Sequence, residues 1–524
     1  MKKDRCMKNR ILYILGVVMA LTFFQSCYED EGNYDYTELS SIEIDGMESM
    51  YNKRRLMDSL NISVTVNTEF DADDLKYTWF IFNSGDVNYI DAVKVDTISR
   101  EKDLKYLVAE EPGNYVLTLQ VQNVENQYAV YKSTTLSVGS EFSQGVYILK
   151  ETENGNTDLD FCSETKEMAR DIFAVMKGGT LRGKPQILSQ MMAHPYIEPG
   201  TTNRTYGIAL GITTTEDLCL LRTSDLATIH TGETMFYGGF DTTPIRLAHG
   251  SKYGVYFSEE GIYTMSVGAS GSGMLGVPKF EDASVRWVAL DKQNQAYLTF
   301  ICFDDKNGRF LSTNVTTGAV SAYKNSDGIT DKCLYMGMCY HSSMRNTAYA
   351  VFEAADGSRK LYRLKCQLAS SNSPIKEIID IDSNSKLSKA TAFSVCAFNA
   401  PLMYFLSEGK VYYYSFQDGS EREIQLSGIG AGETINYVAN KWWSSYYAPN
   451  KKDHLVVGTT TGNNDYKLYF YQINGGTPDG EPVYVVSGTG KVADVQYMEA
   501  RWGQNTSQEF KYQASTRFSM GLSY

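Results

Sequence analysis

Two patterns of apolar and polar residues divide the chain. Between residues 37 and 139, apolar and polar positions alternate with a period of two, as in Leu60-Asn61-Ile62-Ser63-Val64 and residues 115–121. This alternation is typical of strands that bury one face. The stretch around Trp79 predicts another strand, with the indole in the core. About seven strands in roughly 100 residues predict an immunoglobulin-like sandwich over residues 37–139.

A different pattern repeats from residue 143 to 524. Each repeat has a Tyr after a small or apolar residue, an apolar strand, a polar turn and a second strand. Repeats of about 40–60 residues match the four-stranded blades of a propeller, so the sequence predicts a seven-bladed β-propeller in an all-β chain. Two stacked β-sandwiches are the alternative, and the single repeated motif favours the propeller. The seven anchor positions are Tyr147, Tyr206, Tyr256, Tyr297, Tyr349, Tyr404 and Val456.

The ends of the repeat region differ from its middle. Residues 165–177 have helical periodicity and are followed by Gly178-Gly179, which predicts an amphipathic helix inserted in the first blade. The tail from Val483 continues as strand-like sequence. We expect it to complete the first or last blade and so close the ring.

The N-terminus has the organisation of an export signal. A basic segment precedes an apolar run over residues 11–24, which is shorter than the ~18–20 residues that span a bilayer. Phe24-Gln25-Ser26-Cys27 ends the run, and an acidic stretch follows. This arrangement resembles the signal and lipobox of a bacterial lipoprotein. The resemblance implies that residues 1–26 are removed, that Cys27 carries the lipid and that residues 27–36 form an acidic linker. Ordinary secretion with cleavage elsewhere is the alternative.

Three further stretches carry a family resemblance. Tyr77-Thr78-Trp79, the Pro112-Gly113-Asn114-Tyr115 turn with its following strand, and the opening from Cys27 to Tyr36 resemble the PKD-like domain of Bacteroidetes lipoproteins. Leu181-Arg182-Gly183-Lys184-Pro185 resembles a recurrent phrase of the same family. The resemblance implies an outer-membrane protein facing the cell exterior, held to the membrane by its lipid alone. It also implies an accessory role beside a SusC/SusD-like transporter complex.

Net charge narrows the choice of ligand. Removing residues 1–26 takes five basic residues from 49 and one acidic residue from 62, which leaves 44 and 61 and a net charge of −17. An acidic surface of this size argues against nucleic acid and anionic head groups as ligands.

Cysteines and histidines give no metal or cofactor motif, so we expect no cofactor. The cysteines after Cys27 are odd in number, irregularly spaced and set among apolar residues, which predicts buried free thiols. No Cys-x-x-Cys pair or His-Glu-x-x-His motif occurs, so a zinc site is not expected. We expect the five histidines to lie on the surface or in loops: His194, His230, His249, His341 and His454.

Motifs for catalysis are equally weak. The stretch from Asp380 begins like a calcium loop, but Ser385 and Thr391 stand where Gly and Glu are required. Gly268-Ala269-Ser270-Gly271-Ser272 fails as a nucleophile elbow because Ser272 replaces the last Gly. Propeller glycosidases use paired carboxylates, and no pair can be singled out here. The sequence therefore predicts a protein that is not an enzyme.

One aromatic cluster is the candidate ligand site. Trp442 and Trp443 are consecutive, so on a strand they point to opposite faces, and Tyr446 and Tyr447 follow. Flat aromatic rings bind sugars and peptide side chains at little entropic cost, although they also pack blades together. Trp287 is a weaker candidate of the same kind.

The sequence thus predicts a surface lipoprotein that binds or presents nutrient, either oligosaccharide or peptide. A surface polysaccharide hydrolase or lyase is one alternative. A structural component that only docks to the transporter complex is another.

Overall fold

The structure is a computed structural model. It describes residues 41–498, except 56–57, 85–94, 111–112, 140–141, 143, 198–201, 203, 250–252, 268–269, 292–298, 345–346, 368–371, 444–451 and 463, together with residues 522–523. Within these ranges, no helix is both long and apolar enough to cross a bilayer.

The N-terminal part is a sandwich of short strands. Five strands form one sheet in the order β2-β9-β8-β5-β6, and the pairs β1-β4 and β3-β7 lie outside it. Trp79 on β5 is fully buried, and its Nε1 donates to the carbonyl of Glu101 at 3.1 Å, as expected for a core tryptophan. The strands are β1 (Glu43–Asp45), β2 (Met50–Arg54), β3 (Ser59–Ile62), β4 (Thr65–Asn67), β5 (Leu75–Asn83), β6 (Asp96–Ser99), β7 (Leu104–Leu107), β8 (Gly113–Asn123) and β9 (Ala129–Gly139).

The rest of the described chain is a β-propeller. Its first five sheets in the chain are built from consecutive strands, apart from one strand of the first blade that comes from the C-terminal end. These strands are β10 (Gly145–Glu151), β11 (Thr157–Ser163), β12 (Met168–Ala169), β13 (Pro185–Ile197), β14 (Arg204–Thr214), β15 (Leu218–Arg222), β16 (Thr228–Thr231), β17 (Pro244–His249), β18 (Tyr253–Ser258), β19 (Gly261–Ser266), β20 (Phe280–Glu281), β21 (Val288–Asp291), β22 (Thr299–Asp304), β23 (Arg309–Asn314), β24 (Ala319–Ala322), β25 (Lys332–Cys339), β26 (Thr347–Glu353), β27 (Arg359–Lys365) and β28 (Ile375–Asp380).

The remaining strands complete the ring. They are β29 (Ala392–Val395), β30 (Leu402–Ser407), β31 (Lys410–Ser415), β32 (Glu421–Glu423), β33 (Thr434–Trp443), β34 (Lys452–Thr460), β35 (Asp465–Asn474), β36 (Thr477–Pro478), β37 (Tyr484–Thr489), β38 (Lys491–Met498) and β39 (Leu522–Ser523). In the described ranges the propeller sheets number seven, each antiparallel. Blade 1 is β38-β10-β11-β12, blades 2 to 6 take four strands each from β13 onwards, and blade 7 is β33-β34-β35-β37 with β36 and β39 attached.

The tail closes the ring, as the sequence predicted. β37 is the outer strand of blade 7, and β38 is the innermost strand of blade 1, where Ile148 pairs with Val495. The innermost strand β38 lies between β33 of blade 7 and β13 of blade 2. The two ends of the propeller sequence are thus held in a single sheet.

In the residues that the structure describes, the repeated Tyr, or Val456 in blade 7, belongs to the second strand of its blade. Tyr147, Tyr256, Tyr349 and Tyr404 are buried there, and Tyr297 lies outside the described residues. A second strand has neighbours on both edges and a blade on each face, so its side chains are the most completely buried. Each pair of adjacent blades encloses its own apolar cluster, such as the one that joins Leu220 of blade 2 to Leu247 of blade 3.

The predicted helix over residues 165–177 is too long. Its first part forms the outer strand β12, in which Met168 pairs with Cys162, and only Ile172–Lys177 is helical (α1). Residues 168–169 pair with β11 as the outer strand of blade 1, and this pairing outweighs the helical pattern of the sequence. A second short helix, α2, spans Gly232–Met235. The described chain also has short 3₁₀ turns at Ala72–Asp74, Ser342–Met344 and Leu387–Lys389.

The seven cysteines after Cys27 are buried and free, which confirms the prediction. Burial raises the pKa of the Cys219, Cys302 and Cys339 thiols to about 12. These groups therefore stay protonated at neutral pH and are poor nucleophiles.

Candidate functional site

The candidate site lies where the innermost strands of blades 5, 6 and 7 end. These strands run in the same direction, so the C-terminal ends of β25, β29 and β33 lie at one face of the propeller. Each brings one aromatic side chain: Tyr340, Phe398 and Trp442. Loops at such strand ends carry binding residues in many folds because the sheets beneath hold them in place.

The three rings form one continuous stack, here called the aromatic stack. The ring centroids of Tyr340 and Phe398 are 4.9 Å apart with planes at 17°, and those of Phe398 and Trp442 are 4.0 Å apart at 30°. Tyr340 and Trp442 are only 3% and 7% exposed, whereas Phe398 is half-buried. The middle ring is therefore the member with surface to offer a ligand, and the outer two hold it in place.

A buried polar network lies beside the aromatic stack. Asn440 on β33 donates from Nδ2 to Oδ1 of Asp453 at 2.7 Å and accepts the Ala397 N–H at 2.8 Å through Oδ1. The side chain of Asn399 also donates to Asp453. Asp453 pairs directly with Trp442 across the β33–β34 ladder. The network thus fixes the loop that carries Phe398 to the strands that carry Trp442.

The carboxyl group of Asp453 is the most perturbed group of the site. Burial raises its pKa to about 6, although the amides of Asn440 and Asn399 favour the ionised form. A carboxyl in this range changes charge near neutral pH.

Asp453→Asn should flatten the pH dependence of stability. The pKa of Asp453 is higher in the folded chain than the value of about 3.9 for an unfolded chain, so the protonated carboxyl stabilises the folded state. This stabilisation is complete below about pH 3.9 and is lost as the pH rises through about 6. Between pH 4 and pH 8, the free energy of unfolding of the wild type should fall by roughly 2–3 kcal/mol more than that of the variant. Urea unfolding at both pH values measures this difference. If the free energy of unfolding falls equally for the two proteins between pH 4 and pH 8, Asp453 does not titrate in this range.

The predicted aromatic residues divide into three groups. Trp442 lies in the aromatic stack but is buried, so it supports the site without an open face of its own. Trp287 is half-buried in packing between blades: its Nε1 donates to the Cys333 carbonyl at 3.1 Å and its ring meets Tyr335 edge-on. The Trp443 side chain, Tyr446 and Tyr447 lie outside the described residues, as does Cys27.

Sequence reasoning missed Tyr340, Phe398, Asn440 and Asp453. The repeated motif marks second strands, so the innermost strands before them were not recognised. The available signal is an aromatic residue shortly after the strand that precedes each anchor, as in Met338-Cys339-Tyr340 and Cys396-Ala397-Phe398.

The prediction of surface or loop histidines is wrong for most of them. His194, His249 and His454 are buried, because they lie on strands at the ends of packed blades. His454 shares a hydrogen bond between its Nδ1 and the Tyr497 hydroxyl across the join of blades 7 and 1. Burial lowers the pKa of His194 to about 3, with a smaller contribution from His230. Among the described residues, no group of three or more His, Cys, Asp and Glu side chains could hold a metal ion.

A sequence model of the PKD-like family matches residues 27–185. This confirms the family resemblance from Cys27 to Pro185, the stretch that carries the predicted motifs, and it covers less than half of the chain. No curated protein sequence matches the chain.

Solved structures that resemble the chain differ widely in sequence. A quinonprotein alcohol dehydrogenase-like protein from Bacteroides thetaiotaomicron is 14% identical, with 87% of this chain and 99% of that chain covered and a TM-score of 0.41. A protein from Lactobacillus plantarum is 11% identical, with coverages of 68% and 100% and a TM-score of 0.42. Apo AztD from Citrobacter koseri is 11% identical, with coverages of 80% and 100% and a TM-score of 0.35. Likenesses at this level carry no information about activity, and the propeller assignment comes from the sheets themselves.

Proposed function

We propose that this protein is a lipid-anchored protein of the outer-membrane surface whose propeller binds nutrient at the aromatic stack. The ligand is an oligosaccharide or a peptide, and the protein acts as an accessory to a SusC/SusD-like uptake system. The observation that carries the binding role is the aromatic stack itself, because it places a partly exposed Phe398 on one face of the propeller.

The chemistry of the site suits a flat, partly apolar ligand. The faces of Phe398 lie against Tyr340 and Trp442, so a sugar ring or an apolar side chain would contact its exposed edge. A phenyl ring held between two other rings loses little conformational freedom when such a contact forms. Asn399 lies next to Phe398, and its amide is held by the Ile473 carbonyl, the Gly476 N–H and Asp453, so it is a fixed polar group beside the ring. Such a combination of apolar surface with a few fixed polar groups is typical of small-ligand sites.

The anchoring role is supported by the start of the chain. The run that ends in Phe24-Gln25-Ser26-Cys27 has the lipobox pattern, and the PKD-like match begins at Cys27. The place beside a transporter rests on the family resemblance alone. A sandwich between lipid and propeller would act as a spacer that carries the binding face away from the membrane.

A hydrolase or lyase is less well supported. Glycoside hydrolysis uses two carboxyl groups that flank the bond to be broken. Asp453 is a buried carboxyl with a raised pKa, but the side chains that contact it are the amides of Asn440 and Asn399. These contacts indicate that the Asp453 carboxyl is buried because it helps to hold the loop that carries Phe398.

Binding arrays of glycans and peptides, run beside an assay for product release, test the proposal. We expect retention of a ligand class without turnover. Turnover would favour the hydrolase or lyase, and the absence of any ligand together with co-purification of transporter proteins would favour a purely structural role.

Cys27→Ala should release the protein from the membrane. A lipid chain contributes about 0.8 kcal/mol for each buried CH₂, and the several chains of a lipoprotein hold firmly where one does not. Fractionation of cells that express the wild type and the variant measures the effect. If the variant stays in the outer membrane as firmly as the wild type, and washing at high salt does not release it, lipidation at Cys27 is contradicted. Release of the variant by high salt would show that a protein partner had held it.

Protease treatment of intact cells tests the orientation. An exterior protein should be degraded without lysis. Degradation only after lysis would place it in the periplasm and contradict capture of nutrient at the surface.

A further inference from the structure

Two histidines, His194 buried and His230 partly buried, meet on the face of blade 2 that packs against blade 3. His194 lies near the end of β13 opposite Gly207, and His230 lies on β16 opposite Leu220. Residues that pair across an antiparallel ladder point to the same face, and Leu220 faces the apolar cluster shared with blade 3. The ring centroids are 5.5 Å apart with planes at 84°.

Among the residues that the structure describes, neither ring has a hydrogen-bond partner. His194 is 0% exposed, and all four ring nitrogens of the pair are shielded from solvent without a protein donor or acceptor. Buried polar groups are nearly always paired in native proteins, so an unpaired group requires an explanation such as a bound ion or water. Two such groups in contact require one explanation for both.

A loop of blade 3 approaches β13 closely beside His194. Gly273 has φ +70°, and a Cβ atom there would lie 2.3 Å from the carbonyl oxygen of Pro195, the residue after His194. The glycine is therefore needed for the loop to approach β13 so closely. On the neighbouring strand, Gly207 stands opposite His194, and a Cβ atom there would lie 3.7 Å from the hydroxyl oxygen of Tyr196.

We propose that His194 and His230 form a two-coordinate site for monovalent copper between blades 2 and 3. Burial without a counter-charge keeps both imidazoles neutral, and neutral imidazole is a ligand that copper accepts. Within the described residues no third His, Cys, Asp or Glu joins the pair. A structural zinc ion takes four protein ligands, whereas monovalent copper, a closed-shell d¹⁰ ion, accepts two.

Charge also favours the monovalent ion. The free-energy cost of moving an ion out of water rises with the square of its charge. Two neutral nitrogens cannot offset the cost of a divalent ion in this apolar interface. A monovalent ion pays the smallest cost of leaving water and can still form a bond to each of the two imidazole nitrogens.

Anaerobic titration of the mature full-length protein with Cu⁺, in competition with a chromogenic chelator, tests the site. The wild type should bind one ion per chain, and His194→Ala or His230→Ala should weaken binding by at least about 100-fold, since even changes to residues behind a ligand cost 10–100-fold. Cys219→Ala and His341→Ala are matched controls that should bind as the wild type does, because Cys219 faces blade 1 and His341 lies outside the pair.

X-ray absorption of the copper-loaded wild type decides the ligands even where a variant fails to fold. Two imidazole nitrogens and no sulfur in the first shell would support the site. Sulfur neighbours would show that buried thiols had bound the ion, and would overturn the proposal. Failure to retain Cu⁺, or retention of Zn²⁺ in its place, would overturn it too, the former leaving water as the partner of the two rings.

Discussion

A chain that ends at Gly490 should fail to form a stable propeller. It lacks β38, so blade 1 loses its innermost strand and the ring loses the sheet that joins its two ends. Val492, Val495, Tyr497 and Met498 are all buried on this strand. At about 1.5–3 kcal/mol for each fully buried large apolar side chain, their loss removes about 6–12 kcal/mol, which is comparable with the whole stability of a domain. Scanning calorimetry should show no cooperative transition from the propeller.

A chain that ends at Met498 is the matched control. It keeps β38 and removes 26 residues, of which only Leu522–Ser523 pair with β33 in the described structure. We expect its melting transition to stay close to that of the full chain. A cooperative transition in the shorter chain, at the temperature of the control, would contradict closure by β38.

Lys441→Met should destabilise the same join by another route. Lys441 on β33 and Asp494 on β38 form a salt bridge of 2.8 Å between blades 7 and 1, and both side chains are almost completely buried. Oδ2 of Asp494 also accepts the Leu188 N–H of blade 2 at 3.0 Å. Removal of the lysine leaves a buried carboxylate without its counter-ion, which costs about 3–5 kcal/mol. Urea unfolding measures the loss.

Two further variants separate charge from packing. Lys441→Met combined with Asp494→Asn removes the uncompensated charge and keeps an acceptor for Leu188, so it should recover most of the loss. Lys386→Met breaks a pair with Glu408 in which both partners are about half exposed, and it should cost far less than Lys441→Met because solvent screens the exposed pair. If Lys441→Met and Lys386→Met lower the free energy of unfolding equally, the contact between blades 7 and 1 does not depend on the Lys441–Asp494 ion pair.

The sequence predicted the fold from its most regular feature. The second strands are buried on both faces, so each repeats the same apolar motif around an anchor such as Tyr256 or Tyr404. The innermost strands lack that regularity because they also face the axis and end in loops. Phe398 follows one of them and Asn440 lies near the end of another, which is why the motif search passed over the candidate site. Asp453 lies at the start of the second strand β34, outside the apolar part of the motif.

The relations between distant residues could not be predicted in the same way. Tyr340, Phe398 and Trp442 come from three separate blades, and they meet only because the blades are stacked in register. His194 and His230 meet across a four-stranded sheet whose intervening strands carry a small residue at Gly207. Each case depends on the pairing of whole strands, which a single sequence does not reveal.

The central claim is that the aromatic stack binds nutrient, and calorimetric titration of the ligand class selected by the arrays tests it most directly. The wild type is compared with Phe398→Ala, and Tyr237→Ala, an exposed tyrosine between β16 and β17, is the control. Loss of the partly exposed ring should weaken binding by about 0.5–1.5 kcal/mol, the range for edge-to-face aromatic contacts, while the control binds as the wild type does. Unchanged affinity in folded Phe398→Ala would contradict a binding site at the aromatic stack.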